Sequence, residues 1–524
     1  MWEPPLRPRP GSRERPVKSS TRTAALVTGA VVVLLAPLAA LRAASGPDVP
    51  RISVGAAAPA TLLPGDVRDA TGLMIANAVW TGLVAYDPKT GAPANAAAES
   101  ITSPDRKVWT IRLRPGARFQ DGSPVTSRSF TDAWTAVLRE GWAGTRLFTG
   151  VARVKGAERG ADGIPGVTVK DDRTFEVTLD RPLAGFPALL GDPAFFPLPE
   201  SVLASRDWAS YGRAPVGNGP FRLASRNARE IVLAPVKGGR SVVVRQLPDA
   251  RAQYAAAEAG ELDVATQVPA DRHESMDADF GDRHLAVPGR DMTYLAFPGW
   301  EERLASPTVR QALSMAIDRS AVTEGPLGHQ YSPADALVAP GILPGRREGQ
   351  CRLCLHDGKA AVAALADAGG LTGPVNLWYE ANRGDDAWVK AVAGQLREEL
   401  ELDARPHPVT GLAEALDDRK VDGPFVVHTT AAYPAPVAAL APLLEAGTGF
   451  DDGYTTGLVA EAERAATADD GVIPARLAET AMLRDMPAIP LWSRHDHLVW
   501  SERVRGVTAG AFTGLRLVAL SVKD

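Results

Sequence analysis

The sequence predicts an α/β protein of at least two lobes, and three observations carry that expectation. The chain has 524 residues, more than one hydrophobic core ordinarily organises. Residues 80–180 hold short alternating segments separated by turn residues. Residues 300–430 then alternate helical and strand periodicities, which is α/β order. Hydrophobic residues at 45% and charged residues at 23% match ordinary globular composition. With Gly 49 and Pro 43 the chain is rich in turns, which argues against a helical bundle. A net charge of −5 supplies no basic face, so nucleic acid is excluded as a partner.

The elements follow in order. Residues 1–23 carry Arg7, Arg9, Arg13, Arg15, Lys18 and Arg22 against Glu3 and Glu14, a basic tail expected to stay cytoplasmic. Residues 24–41 are uncharged and apolar, and 24–45 reads either as a signal peptide or as a membrane anchor. Ala43, Ala44 and Ser45 offer a small-residue cleavage site. No cysteine follows this run, so no lipid anchor is expected there. The rest of the chain is therefore expected outside the cytoplasm, anchored or secreted.

Residues 107–114 alternate so that Trp109, Ile111 and Leu113 share one strand face. Phe175, Val177 and Leu179 do the same in 174–179, and Asp121-Gly-Ser-Pro between them is a turn. Ser306-Pro307 predicts a helix start with a hydroxyl cap, followed by Val309, Leu313, Ala316 and Ile317 at helical spacing. A second helix is predicted from Asp357 to Gly369-Gly370. A third carries Trp388, Val392, Leu396 and Leu400 on one face. Residues 375–379 and 425–427 read as strands between them.

Specific blocks add a resemblance. Residues 79–91 read Val-Trp-Thr-Gly-Leu-Val-Ala-Tyr-Asp-Pro-Lys-Thr-Gly, and 113–125 read Leu-Arg-Pro-Gly-Ala-Arg-Phe-Gln-Asp-Gly-Ser-Pro-Val. Pro-Val-Gly-Asn-Gly-Pro-Phe-Arg follows at 215–222 and Ala-Gly-Glu-Leu-Asp-Val at 259–264. Tyr-Leu-Ala-Phe stands at 294–297, Val-Arg-Gln-Ala-Leu-Ser-Met-Ala-Ile-Asp-Arg at 309–319, and Met-Pro-Ala-Ile-Pro-Leu-Trp at 486–492. In this order, from about 52 to 520, the series resembles the extracellular solute-binding proteins of family 5, the oligopeptide and dipeptide class serving ABC importers.

The resemblance implies a periplasmic-binding-protein-like fold of type II, with two lobes, a strand-rich inserted subdomain and a hinge. Lobe I would comprise 46–80, 165–285 and 488–524, the inserted subdomain 81–164, and lobe II 286–487. Closure of the lobes would bury a small peptide or peptide-like ligand, held like an added strand. The loaded form would engage a membrane permease with cytosolic ATPases, as a monomer, with no cofactor and no enzymatic activity. A ligand sensor reporting to a membrane partner is the alternative on the same scaffold.

Cys351 and Cys354 read as a redox motif, half a metal site or a local disulfide, and in an oxidising compartment the disulfide is the default. His495 and His497 put two imidazoles on one strand face. Their neighbours Trp492, Leu498 and Val499 read as ordinary sheet, so no metal site is expected. No Gly-X-Ser-X-Gly, P-loop or dinucleotide-binding glycine motif occurs. The family's Trp-X-X-Asp-Tyr segment, whose aspartate holds a peptide ammonium, corresponds here to Thr-Thr-Ala-Ala-Tyr-Pro-Ala-Pro at 429–436. Ala432 stands at the aspartate position, between Thr430 and Tyr433. Trp80, Tyr379, Tyr433 and Trp492 fall in segments that border the family's cleft. Asn382 and Arg383, after the 375–379 strand, read either as a contact for a ligand carboxylate or as a solvated loop, and 58–64 would cross the cleft wall with backbone groups.

Overall fold

A computed structural model describes residues 51–523 except 344, 446, 447, 449 and 451. The expectations for the basic tail and the apolar run lie outside the described residues. Among the described residues no helix is long and apolar enough to cross a membrane.

One twelve-stranded mixed sheet runs through both lobes. At one end lie Ala404–Val409, Val375–Glu380, Phe425–Thr430 and Asp291–Ala296. At the other lie Val264–Ala265, Arg51–Ala56, Ser241–Gln246, Glu230–Pro235 and Phe221–Arg226. The two halves are joined by a single long strand, Ala488–Trp500. Its residues 488–494 pair with Asp291–Ala296 and Tyr331–Pro333. Its residues 495–500 pair with His284–Pro288 and Val264–Ala265. Pairing thus changes hands within the strand, between Arg494 and His495. The lobe boundary read at 487/488 stands one half-strand before that switch.

Parallel pairing of Arg51–Ala56 with Ser241–Gln246, and of Val375–Glu380 with Ala404–Val409, gives each half an α/β character. Helix Asp386–Leu400 connects the second pair and buries Trp388, Val392, Leu396 and Leu400, the face its spacing predicts. Helix Gly358–Asp367 is capped by Asp357, which accepts from the Ala360 N–H at 2.9 Å. It stops before Gly369 and Gly370, both at positive φ. Helix Pro307–Met315 begins after Ser306 as expected, but the Ser306 hydroxyl makes no capping bond. The proline at the first helical position fixes the start instead.

The strand-rich inserted region is a four-stranded antiparallel sheet of Ala98–Thr102, Val108–Leu113, Thr174–Thr178 and Val167–Asp171. The last two strands lie beyond residue 164, in the stretch read from sequence as lobe I, because Thr174–Thr178 pairs with Val108–Leu113. Trp109, Ile111, Leu113, Phe175 and Val177 are buried on its inner face, as their alternation predicts. Helix Ser127–Arg139 covers them, with Trp134 edge-on to Phe175 at 5.6 Å and to Phe195 at 5.4 Å. The buried core of this region is continuous with that of lobe II. Lobe I has a core of its own around Ile52, Val54, Ile231, Leu233 and Val244.

Cys351 and Cys354 are joined as a disulfide. The bridged turn sits against helix Pro307–Met315, where Ser314 Oγ donates to the Leu353 carbonyl at 2.7 Å. Buried Arg319 donates to the Cys354 carbonyl at 2.6 Å.

Candidate functional site

The cleft is built where the shared sheet passes between lobes. Asp69 caps helix Ala70–Val79 by accepting from Gly72 N–H at 2.7 Å, and it also accepts from Ala60 N–H at 3.2 Å. These bonds fix the stretch after strand Arg51–Ala56 as one wall. The long strand supplies the floor. Its alternation turns Arg494, Asp496 and Leu498 toward the cleft. Thr430, Ala431 and Ala432, at the end of strand Phe425–Thr430, close the lobe II side, Ala143 and Arg146 close it from the inserted region, and Asp192 lines it as well. The open cleft holds about 750 Å³, inside the range of small-ligand sites.

Charge of both signs lines it. Arg68 lies 3.7 Å from Asp192; burial lowers its pKa from the ordinary guanidinium value, while the Asp192 charge opposes that shift. Arg290 donates to the Ala431 carbonyl at 3.3 Å and lies 4.9 Å above the Phe512 ring. Arg494 lies 3.4 Å from Asp496. Asp291 accepts from the Thr430 hydroxyl, its direct partner across the strand pair. Gly289 precedes this pair where the chain passes from lobe to lobe. A Cβ there would stand 2.3 Å from the Arg494 carbonyl oxygen, so the crossing requires glycine.

Of the residues singled out from sequence, Thr430 and Ala432 line the cavity, as does Ala58 of the 58–64 segment. The others lie elsewhere. Trp80 ends helix Ala70–Val79 inside the lobe I core. Tyr433 is buried with its ring against Gly185. Trp492 is buried in the lobe II core, edge-on to Trp388 at 4.8 Å. Tyr379 is buried and donates to Asp386 at 2.6 Å. Asn382, at positive φ, and Arg383 form an exposed turn after that strand.

Sequence reading did not single out Arg68, Arg146, Asp192, Arg290, Asp291, Arg494 or Asp496. A signal existed for the last four: charged pairs interrupt two otherwise apolar strands. On the other face of the long strand His495 and His497 meet His273, and among the described residues these three could hold a metal.

The profile of the bacterial extracellular solute-binding proteins, family 5 (middle), matches residues 92–451. The chain belongs to that family. Among relatives, the periplasmic murein peptide-binding protein MppA of Escherichia coli K12 is 29% identical over 295 residues, 53% of this chain and 54% of MppA. The dipeptide-binding protein DppE of Bacillus subtilis 168 is 29% identical over 266 residues, 48% of each chain. The chain thus aligns over about half the length of these curated relatives. The fold likeness is wider. The unliganded open form of MppA superposes with a TM-score of 0.78 at 21% identity, covering 91% of this chain and 98% of that one. This family 5 protein therefore carries the two-lobed α/β fold that its sequence blocks imply.

Proposed function

We propose that this family 5 protein captures a short peptide or peptide-like solute outside the cytoplasm and delivers it, by lobe closure, to an ABC permease. The cavity walled by both lobes and the inserted region carries this reading, with acids and arginines spread around it. Relatives named for murein peptides and dipeptides support a peptide class. The protein works as a monomer and catalyses nothing; the cleft binds and releases.

Asp291 takes the role that Ala432 lacks. It stands opposite Thr430 in the strand pair, two residues from Ala432, and lines the same cavity. A ligand ammonium would pair with its carboxylate, and Arg146, Arg290 or Arg494 would meet the ligand carboxylate by bidentate contact. Thr430 and Ala432 contribute the wall between, with backbone groups from Ala57 and Ala58 facing them.

The test begins with native mass spectrometry of the chain purified from its own host, then denaturing release of bound compounds. A peptide with a free amino end supports the reading, and a non-peptide compound sinks the peptide assignment. Asp291→Asn then lowers affinity for that peptide roughly ten- to hundredfold, the value of one charge-assisted hydrogen bond. Its N-acetylated form binds both proteins alike. Unchanged uptake of the ligand in a deletion strain would move the assignment to the sensor role.

A further inference from the structure

Behind the cleft, on the opposite face of the long strand, three imidazoles converge. His495 and His497 come from that strand, and His273 comes from the turn after Ala270–Arg272. One ring nitrogen from each lies within 4.8 Å of the others. Ring centroids of His273 and His497 are 4.3 Å apart, and those of His495 and His497 are 4.7 Å apart. We propose that His273, His495 and His497 form a binding site for a borderline divalent transition metal, zinc or nickel in class.

A second observation points the same way. Both ring nitrogens of His497 are buried, and neither has a hydrogen-bond partner. An imidazole held like this has a donor and an acceptor unsatisfied. A metal ion between the three rings satisfies one of them with a bond. Burial and neighbouring histidines keep His497 neutral, its pKa pushed down to about 3, and burial also lowers those of His273 and His495. Neutral imidazoles ligate without first losing a proton.

The outer groups fit as well. A metal-bound histidine ordinarily donates its second N–H to a carbonyl. His495 Nε2 lies 3.0 Å from the His329 carbonyl, leaving Nδ1 to exchange the Ser332 hydroxyl at 2.9 Å for the metal. His273 Nε2 faces the Gln330 amide nitrogen at 3.1 Å. That amide also donates to Val268 O at 2.9 Å, so it keeps a partner when the metal takes its place. Tetrahedral zinc needs nitrogens about 3.4 Å apart, which modest ring rotations supply. An all-nitrogen set selects zinc, nickel or copper over calcium or magnesium, and leaves the fourth position to water.

The site is separate from the solute cleft, and its test does not depend on the solute. The full chain, purified without a polyhistidine tag and stripped with chelator, is titrated with zinc chloride calorimetrically. Cobalt is used in parallel for its visible bands. One zinc per chain is expected, with tetrahedral cobalt absorption. His497→Ala weakens zinc binding by at least about 100-fold, more than loss of an outer-shell partner costs. His284→Ala, outside the ligand set, leaves it unchanged. X-ray absorption of the wild-type zinc form covers the case of a misfolded variant, and a shell of three imidazoles is expected. An oxygen-only shell, no saturable zinc, or equal binding in wild type and a folded His497→Ala would overturn the proposal.

Discussion

Asp263 shows how one side chain ties distant parts of lobe I together. Its carboxylate accepts from Ser53 N–H at 2.8 Å, Ser53 Oγ at 2.9 Å and Arg503 Nη2 at 2.7 Å. Burial alone would raise its pKa, but the hydrogen bonds from Arg503 and Ser53 outweigh that and hold it below the ordinary value. A depressed folded pKa adds stability above the unfolded value of about 4, and that stability is lost as pH falls through the folded value. Arg503 is half exposed, so solvent screens part of the pairing. Asp263→Ala should cost about 2–3 kcal/mol at neutral pH, less than a fully buried pair. Urea melts of wild type and Asp263→Asn should differ at pH 7, and the gap should begin to close below about pH 4 and vanish only below the depressed folded value. A constant gap across that window would remove the ionised carboxylate as the cause.

At the scale of elements, the bridged turn of Cys351 and Cys354 clips helix Pro307–Met315 to the start of helix Gly358–Asp367. Closing so short a loop removes little chain entropy, so replacing both cysteines by serine should cost about 2 kcal/mol. Thermal unfolding of the two proteins measures this, and a loss several times larger would show that the turn organises more than its own loop. Elements of this kind were legible in sequence. Trp388, Val392, Leu396 and Leu400 announce a buried helix face because helical spacing is a local property. Trp109, Ile111 and Leu113 announce a strand for the same reason. The cleft was legible only at Thr430, Ala432 and the backbone near Ala58. Arg68, Arg146 and Asp192 reach it from segments remote in the chain, and no local pattern encodes that meeting. The aromatic residues misdirected attention for a physical cause: Trp492 and Tyr433 are apolar enough to be drawn into the core beside the cleft. His273 is 222 residues from His495, so the pair at 495 and 497 looked like ordinary sheet.

For the whole molecule, ligand binding should be visible as a change of shape and of cooperativity. The cavity draws its wall from both lobes and from the inserted region, so an occupant touches all of them at once. A peptide at 100 times its dissociation constant should stabilise the protein by about 2.7 kcal/mol. Small-angle scattering should show the radius of gyration fall as it binds. Binding without contraction would mean that the lobes do not move. The long strand bears on how they would move. Its hydrogen bonds change partners between Arg494 and His495, yet its own backbone continues from Ala488 to Trp500. A pair of lobes hung on loose loops swings like a door on pins. This pair is hung on a pleated ribbon that must twist when the gap changes, and a twisted ribbon pushes back. The angle between lobes therefore has a rest position and a stiffness, as a torsion bar does, and stiffening the ribbon at His495 and His497, on the face away from the cavity, should set how far an empty molecule gapes while the cavity-facing side chains stay as they are.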